Sequence, residues 1–291
     1  MHDLAFPLLV ALILVALAFD FLNGLHDAAN SIATVVATRL LSPVRAVLFA
    51  AFFNFAAYFL TVAFPALHAV AETIGKGLID KELVTPAVIF GALAGAMFWN
   101  VVTWLKGIPS SSSHALVGGL IGSGVAHAGL EGVQWSGLNK TLLAIVLSPT
   151  LGMFLAMLVM LASSWALHRA TAANAERSFR ALHLVSSAMY STSHGLNDAQ
   201  KTMGSRITKL SQHQGFSASL SGSIILFTAS ALGIPVSTTH TITGSIIGAG
   251  TARRASAVRW GVAQNVVMAW IITIPASGLV AAFFYWLTTF F

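Results

Sequence analysis

Charge is the scarcest property of this chain. Asp, Glu, Lys and Arg make up 8% of its 291 residues, against about 25% in a soluble domain, while 56% are hydrophobic. That balance excludes an ordinary water-soluble globule. Cysteine is absent altogether, which removes disulfides, thiolate metal sites and a cysteine nucleophile. The pattern HExxH is missing too, and no histidine spacing suits zinc. The net charge of +6 would suit nucleic acid only if it were concentrated. Instead Arg39 and Arg45, Lys106, the group Arg169, Arg177 and Arg180, and the group Arg253, Arg254 and Arg259 lie in separate short stretches between apolar runs.

Those runs extend over about 4–22, 44–67, 84–105, 142–167, 217–232 and 258–291. Several are long enough to cross about 30 Å of hydrocarbon as helices, so the chain reads as a polytopic, all-α membrane protein. The first run follows a Met-His-Asp start with no basic residues and no small-residue cleavage site, which marks a retained span rather than a signal peptide. By the positive-inside rule the basic loops face the cytoplasm and the N-terminus starts outside.

Four polar motifs interrupt this apolar background, and they form two pairs. NGLHDAAN, Asn23 to Asn30, returns as HGLNDAQK, His194 to Lys201, and GIPSSSSH, Gly107 to His114, returns as GIPVSTTH, Gly233 to His240. Duplicated polar interruptions at corresponding places mark the substrate site of an inverted-repeat secondary transporter. The duplication divides the chain into a first repeat over 1–167, a basic cytoplasmic linker over 168–183 and a second repeat over 184–291. The copies differ in length. Asp27 and His114 are 87 residues apart, Asp198 and His240 only 42, a deficit equal to one span with its loops at 1.5 Å of rise per residue. A span lost after Gly204 accounts for the deficit, and a naturally asymmetric repeat is the alternative.

Asp20, Asp27, Asp198 and Lys201 are the ionisable groups set within apolar sequence. An ionised group at bilayer depth costs about 2.5–3.5 kcal/mol on insertion scales and marks a pathway or site. Asn23, Gly24, Asn30, Gly195, Asn197 and Gln200 surround the aspartates with amides and flexible backbone, which complete hard-cation coordination or bind an oxyanion where a helix unwinds. A helix break is accordingly expected at NGLHDAAN. Ser110 to Ser113 and Ser237 to Thr239 follow Pro109 and Pro235 and open Gly-rich segments, as at a helix N-terminus that attracts anions. Helix capping and small-residue packing explain the same residues without a ligand.

These motifs resemble the signatures of the inorganic phosphate transporter (PiT) family, bacterial type: NGLHDAANSIATVVATR, HGLNDAQKTMG and GIPVSTTHTITGSIIGAG, in the order that family has them. The resemblance runs from about Ala18 to the C-terminus. It implies inverted-topology repeats with broken helices and half-helix anion sites, and movement of orthophosphate with a coupling cation across a bacterial cytoplasmic membrane. By matching position, Ser111, Ser112, Ser113, Ser237, Thr238, Thr239, Asn30 and Lys201 would hold phosphate. Asp27, Asp198, Asn23, Asn197 and Gln200 would serve the cation. No resident cofactor is implied, the coupling ion (H+, Na+ or a divalent metal) stays open, and the partners are phosphate and the bilayer, with the oligomeric state, monomer or homodimer, left open. Members of the family carry one more span after HGLNDAQKTMG than this chain does.

Other readings of the same residues are a sister transporter for sulfate or another oxyanion, and a remnant that lost transport with its span. An intramembrane aspartyl protease would use Asp27 and Asp198 as a shared-proton dyad, but no GxGD context accompanies them and the hydroxyl motifs would have no task.

Overall fold

The computed structural model describes residues 6–63, 77–108, 110–197, 210–234 and 236–290; the side chains of 25–31, 58, 61–62, 196–197 and 257 are outside the described set. Among the described residues the regular structure is helical. It comprises α1 (Phe6–Ala37), α2 (Pro43–Ala63), α3 (Pro86–Leu105), α4 (Ser112–Ala128), α5 (Trp135–Ala166), α6 (Ala172–Asn197), α7 (Gln212–Ala231), α8 (Thr238–Arg253) and α9 (Trp260–Thr288). The basic stretch after residue 168 enters α6 at Ala172, so Arg177 and Arg180 are helical.

Residues 6–24, α3, α5 and α9 are long and apolar enough to span a membrane. Their exposed faces carry Phe6, Leu14 and Phe21 on α1, Leu143, Phe154 and Leu161 on α5, and Ile271, Leu279 and Phe283 on α9. The interior is polar by contrast. Lipid supplies no hydrogen-bond partners, so buried polar groups must find them inside the protein. Ser221 donates to Ser217 O at 2.6 Å, Ser223 to Ser219 O at 2.7 Å, Ser245 to Thr241 O at 2.9 Å and Ser277 to Thr273 O at 2.7 Å. The apolar run expected over 217–232 is therefore a serine-lined interior helix. It starts at Gln212 under a capping box, in which Ser211 accepts from Gln214 N while the Gln214 side chain accepts from Ser211 N.

NGLHDAAN departs from expectation. The helical backbone of α1 continues through 23–30 without interruption. With no water available, the i→i−4 ladder is the nearest source of partners for these amides, and Leu25, Ala28 and Ala29 favour helix. The breaks fall instead between α3 and α4 and between α7 and α8.

The chain forms two compact units. One comprises residues 1–26, 72–140 and 266–291, the other 27–71 and 141–265. The first thus unites α3 and α4 with most of α9, the second α7 and α8 with most of α5. In each, small residues bring backbones together, the usual means of helix association in lipid. A side chain at Gly118 or Gly122 on α4 would collide with the carbonyls of Ile274 and Gly278 on α9; one at Gly244 or Gly248 on α8 would collide with those of Pro149 and Met153 on α5. The glycines correspond at an offset of 126 residues, which also relates Pro149 to Pro275 and Gly152 to Gly278, while the carbonyls they meet are one residue off that register.

The second unit is further tied by polar contacts between helices. His183 Nδ1 pairs with Gln212 Oε1 at 2.9 Å, Gln212 Nε2 donates to Thr38 O at 3.0 Å, and His213 meets Ser163 at 2.6 Å. Gln214 Nε2 donates to Ala249 O at 3.3 Å.

Substituting Gly122 or Gly248 with alanine is expected to destabilise the protein by about 1–3 kcal/mol, the cost of overpacking, read as a lowered thermal unfolding midpoint in detergent. Gly261→Ala, where an added Cβ meets nothing within 4 Å, is the control and should be neutral or slightly stabilising.

Candidate functional site

The two Gly-Pro-hydroxyl motifs fold identically for local reasons. At the end of α3, Ile108 N donates to Thr103 O at 2.8 Å and Gly107 N to Trp104 O at 3.1 Å; at the end of α7, Ile234 N donates to Ala229 O at 2.9 Å and Gly233 N to Ser230 O at 3.1 Å. This pair of bonds closes a Schellman turn, whose residue just past the helix end is left-handed. Gly107 and Gly233 meet that need with φ of +61° and +65°. Pro109 and Pro235 lie outside the described residues. The chain then restarts as helix at equivalent serines. Ser111 Oγ accepts from His114 N and Ser237 Oγ from His240 N, both at 3.3 Å.

These restarts are half-helix N-termini. Ser111 and Ser237 act as N-caps, so their hydroxyls are already used on the backbone. Ser112 donates to Asn23 Oδ1, which joins the first NGLHDAAN residue directly to the first GIPSSSSH helix. Ser113 is half-buried. As the first two helical residues, Ser112 and Ser113 have no intrahelical partner for their N–H groups, and the helix dipole adds about half a positive charge at this end. Ser110 is fully buried and donates to Thr103 Oγ1 at 2.8 Å. In the second copy Thr238 and Thr239 are both buried, and Tyr190 Oη donates to Thr238 O at 3.4 Å.

The structure therefore joins Asn23 to Ser112, and places Ser237 to Thr239 at an equivalent helix start. Asp198, Gln200 and Lys201 lie outside the described residues, as do the side chains of Asp27, Asn30 and Asn197. Asp20 is exposed on α1. His194, beside the second aspartate motif, is buried against the Tyr190 ring, and among the described residues neither ring nitrogen has a hydrogen-bond partner. Its neighbour Gly195 is where α6 rests on the Asn54 backbone of α2. No group of three or more His, Asp or Glu side chains suited to a metal ion occurs among the described residues.

Two polar residues escaped the motif reading: Asn100 and Thr103, both wholly buried on α3. They sit singly in the run Trp99 to Leu105, where an isolated amide or hydroxyl reads as packing. A buried amide inside an apolar span was the available signal.

A model of the phosphate transporter family matches residues 23–205 and 200–281. A probable low-affinity inorganic phosphate transporter from Rhizobium meliloti (strain 1021) is 53% identical, with 97% of each chain covered. The chain belongs to the phosphate transporter family. A probable low-affinity inorganic phosphate transporter from Bacillus subtilis (strain 168) is 33% identical over 98% of each chain. The solved structure of a sodium-dependent phosphate transporter superposes with a TM-score of 0.83 at 23% identity, covering 98% of this chain and all of the other, which establishes the shared fold. This family member is thus a multi-pass membrane transporter rather than an enzyme.

The length deficit expected from the motif spacing is visible in these matches. The alignment to the Rhizobium meliloti transporter extends over 328 residues although the chain has 291, so at least 37 positions of that relative have no counterpart here. The family match is also divided into two pieces that meet at 200–205. Between its two motifs the first copy has α2 and α3, whereas α7 is the described helix in the second.

Ser111→Ala and Ser237→Ala are expected to cost about 1 kcal/mol each through loss of an N-cap, measured as lowered thermal stability with phosphate absent. Ser112→Ala removes the partner of Asn23 instead, and its effect on phosphate binding should exceed that of Ser111→Ala.

Proposed function

We infer that this chain is a secondary transporter of inorganic phosphate, in which the N-terminus of α4 and that of α8 are each an anion-receiving end and the two aspartate motifs serve the coupling cation. The observation that carries the reading is the repeated construction of a half-helix N-terminus behind a Schellman turn, in a chain of the phosphate transporter family. Backbone N–H groups and a positive dipole end suit an oxyanion without requiring a fixed counter-charge.

Charge balance then calls for a cation. Phosphate near neutral pH carries one to two negative charges, and ionised Asp27 and Asp198 with protonated Lys201 add one more. The two helix ends return about half a positive charge each. The remainder must enter with the anion as protons on the carboxylates, as sodium, or as a divalent metal moving in a neutral metal-phosphate. Lys201 stands where Asn30 stands in the first copy, so a fixed ammonium replaces one potential sodium ligand. That favours proton coupling or metal-phosphate symport over a two-sodium mechanism. Asn23, Asn197 and Gln200 belong to the cation side in this reading, and Asn30 and Lys201 to the anion side.

The missing segment near 200–205 favours a second reading, a remnant that no longer transports. Uptake of radiolabelled phosphate into proteoliposomes under imposed proton, sodium or divalent-metal gradients separates the two, since only a transporter gives saturable flux. The same assay with sulfate tests the oxyanion alternative, and light scattering of the detergent-solubilised protein tests the homodimer.

Asp27→Asn keeps the shape of the side chain but can neither ionise nor carry a proton. It is expected to abolish cation-coupled uptake. Cation dependence unchanged from wild type would remove Asp27 from the mechanism.

A further inference from the structure

Asn100 is 0% exposed, and among the described residues neither its Oδ1 nor its Nδ2 has a hydrogen-bond partner. A buried amide unmet at both ends requires an explanation, because desolvation of each end goes uncompensated. The surrounding structure locates it closely. Val88, Ala92, Ala96 and Asn100 recur every four residues and form one buried stripe of α3, which Thr103 continues.

That stripe faces α4 in an antiparallel register. The Ala92 backbone lies against Gly119, Ala96 shares a cluster with Ala115, and Thr103 accepts from Ser110. Each step of four forward on α3 is a step of four back on α4, so Asn100 falls opposite Ser111. Phe19 packs in the same cluster as Ala96 and Ala115, which puts Asn23, one turn further along α1, in that layer also. Asn23 is there bonded to Ser112. The unmet amide thus sits beside the N–H groups that open α4.

The second copy has no such group. At the offset of 126 residues, Asn100, Thr103 and Ser110 correspond to Leu226, Ala229 and Val236, all buried. Both half-helices offer backbone donors, but among the described residues at these matching positions the first alone is backed by an amide that can also accept a hydrogen bond.

We propose that Asn100 is a specificity-determining residue that reads the proton on the phosphate: Nδ2 donates to an unprotonated oxygen and Oδ1 accepts from the P–OH group. The inference rests on the transport reading above and deepens it. Helix amides and hydroxyl donors bind any tetrahedral oxyanion. A carbonyl oxygen, which has lone pairs and no proton, discriminates among them. Phosphate and arsenate keep at least one hydroxyl near neutral pH. Sulfate has none, and would set its lone pairs against those of Oδ1. A site built to bond a substrate hydroxyl can reject the analogue lacking it by roughly 10⁴–10⁵-fold, because the protein's buried partner is left unmet.

The test is equilibrium binding of radiolabelled inorganic phosphate to the purified full chain, with arsenate and sulfate as competitors. Arsenate should displace phosphate from the wild-type protein and sulfate should not. Asn100→Leu, which installs the residue of the second copy, should weaken phosphate binding by about tenfold or more and narrow the phosphate-to-sulfate ratio by at least as much. Asn100→Ala, which leaves space instead of filling it, should narrow the ratio in the same direction. The ratio is read on the binding-competent fraction, so a loss of folded protein does not imitate the effect.

A variant that binds phosphate with the wild-type ratio overturns the proposal, and so does a wild-type protein displaced equally by sulfate, which leaves oxyanion transport standing. A wild-type protein that binds no phosphate overturns the transport reading itself.

Discussion

Backbone hydrogen bonding in a medium without water is the constraint on which this structure depends. A helix may stop inside a membrane protein only where its last carbonyls and the next helix's first amides find partners. The Schellman turns at Gly107 and Gly233 close the carbonyl ends, and the Ser111 and Ser237 caps take one amide each at the restart. The first helical residues of each restart still have N–H groups without an intrahelical partner. The same constraint keeps α1 helical through residues 23–30, since the i→i−4 ladder supplies the partners that lipid does not.

Duplication supplies this arrangement twice, and the packing crosses the copies. α4 closes on α9 and α8 on α5, each through glycines whose substitution would meet a carbonyl. Neither copy of the hydroxyl half-helix is therefore supported by the long helix that follows it in sequence. The proline-bearing helix of each repeat serves the half-helix of the other, so the shortened second copy still retains the helix on which α4 rests.

The copies are not equivalent where it bears on recognition. Asn100, Thr103 and Ser110 back the first half-helix, and Leu226, Ala229 and Val236 occupy the same places behind the second. The second copy also carries Lys201 where the first has Asn30 and lacks a stretch near 200–205. Directional hydrogen bonds select shape and protonation, whereas an ammonium attracts any negative charge.

The sequence by itself determined the class, the duplication, the missing length and the two half-helix starts. Those features are local: an apolar span is legible from its composition, and a glycine in the left-handed region followed by a serine cap acts through residues within one turn. The α1 backbone was misread as broken, because Asn-Gly has a turn propensity that the surrounding spans overrule. Only the tertiary structure decided that Ser112 bonds to Asn23 and that α4 rests on α9. Each is a contact between residues far apart in the chain, set by the register of packed helices, and a lone amide in an apolar run carries no sign of what it will face.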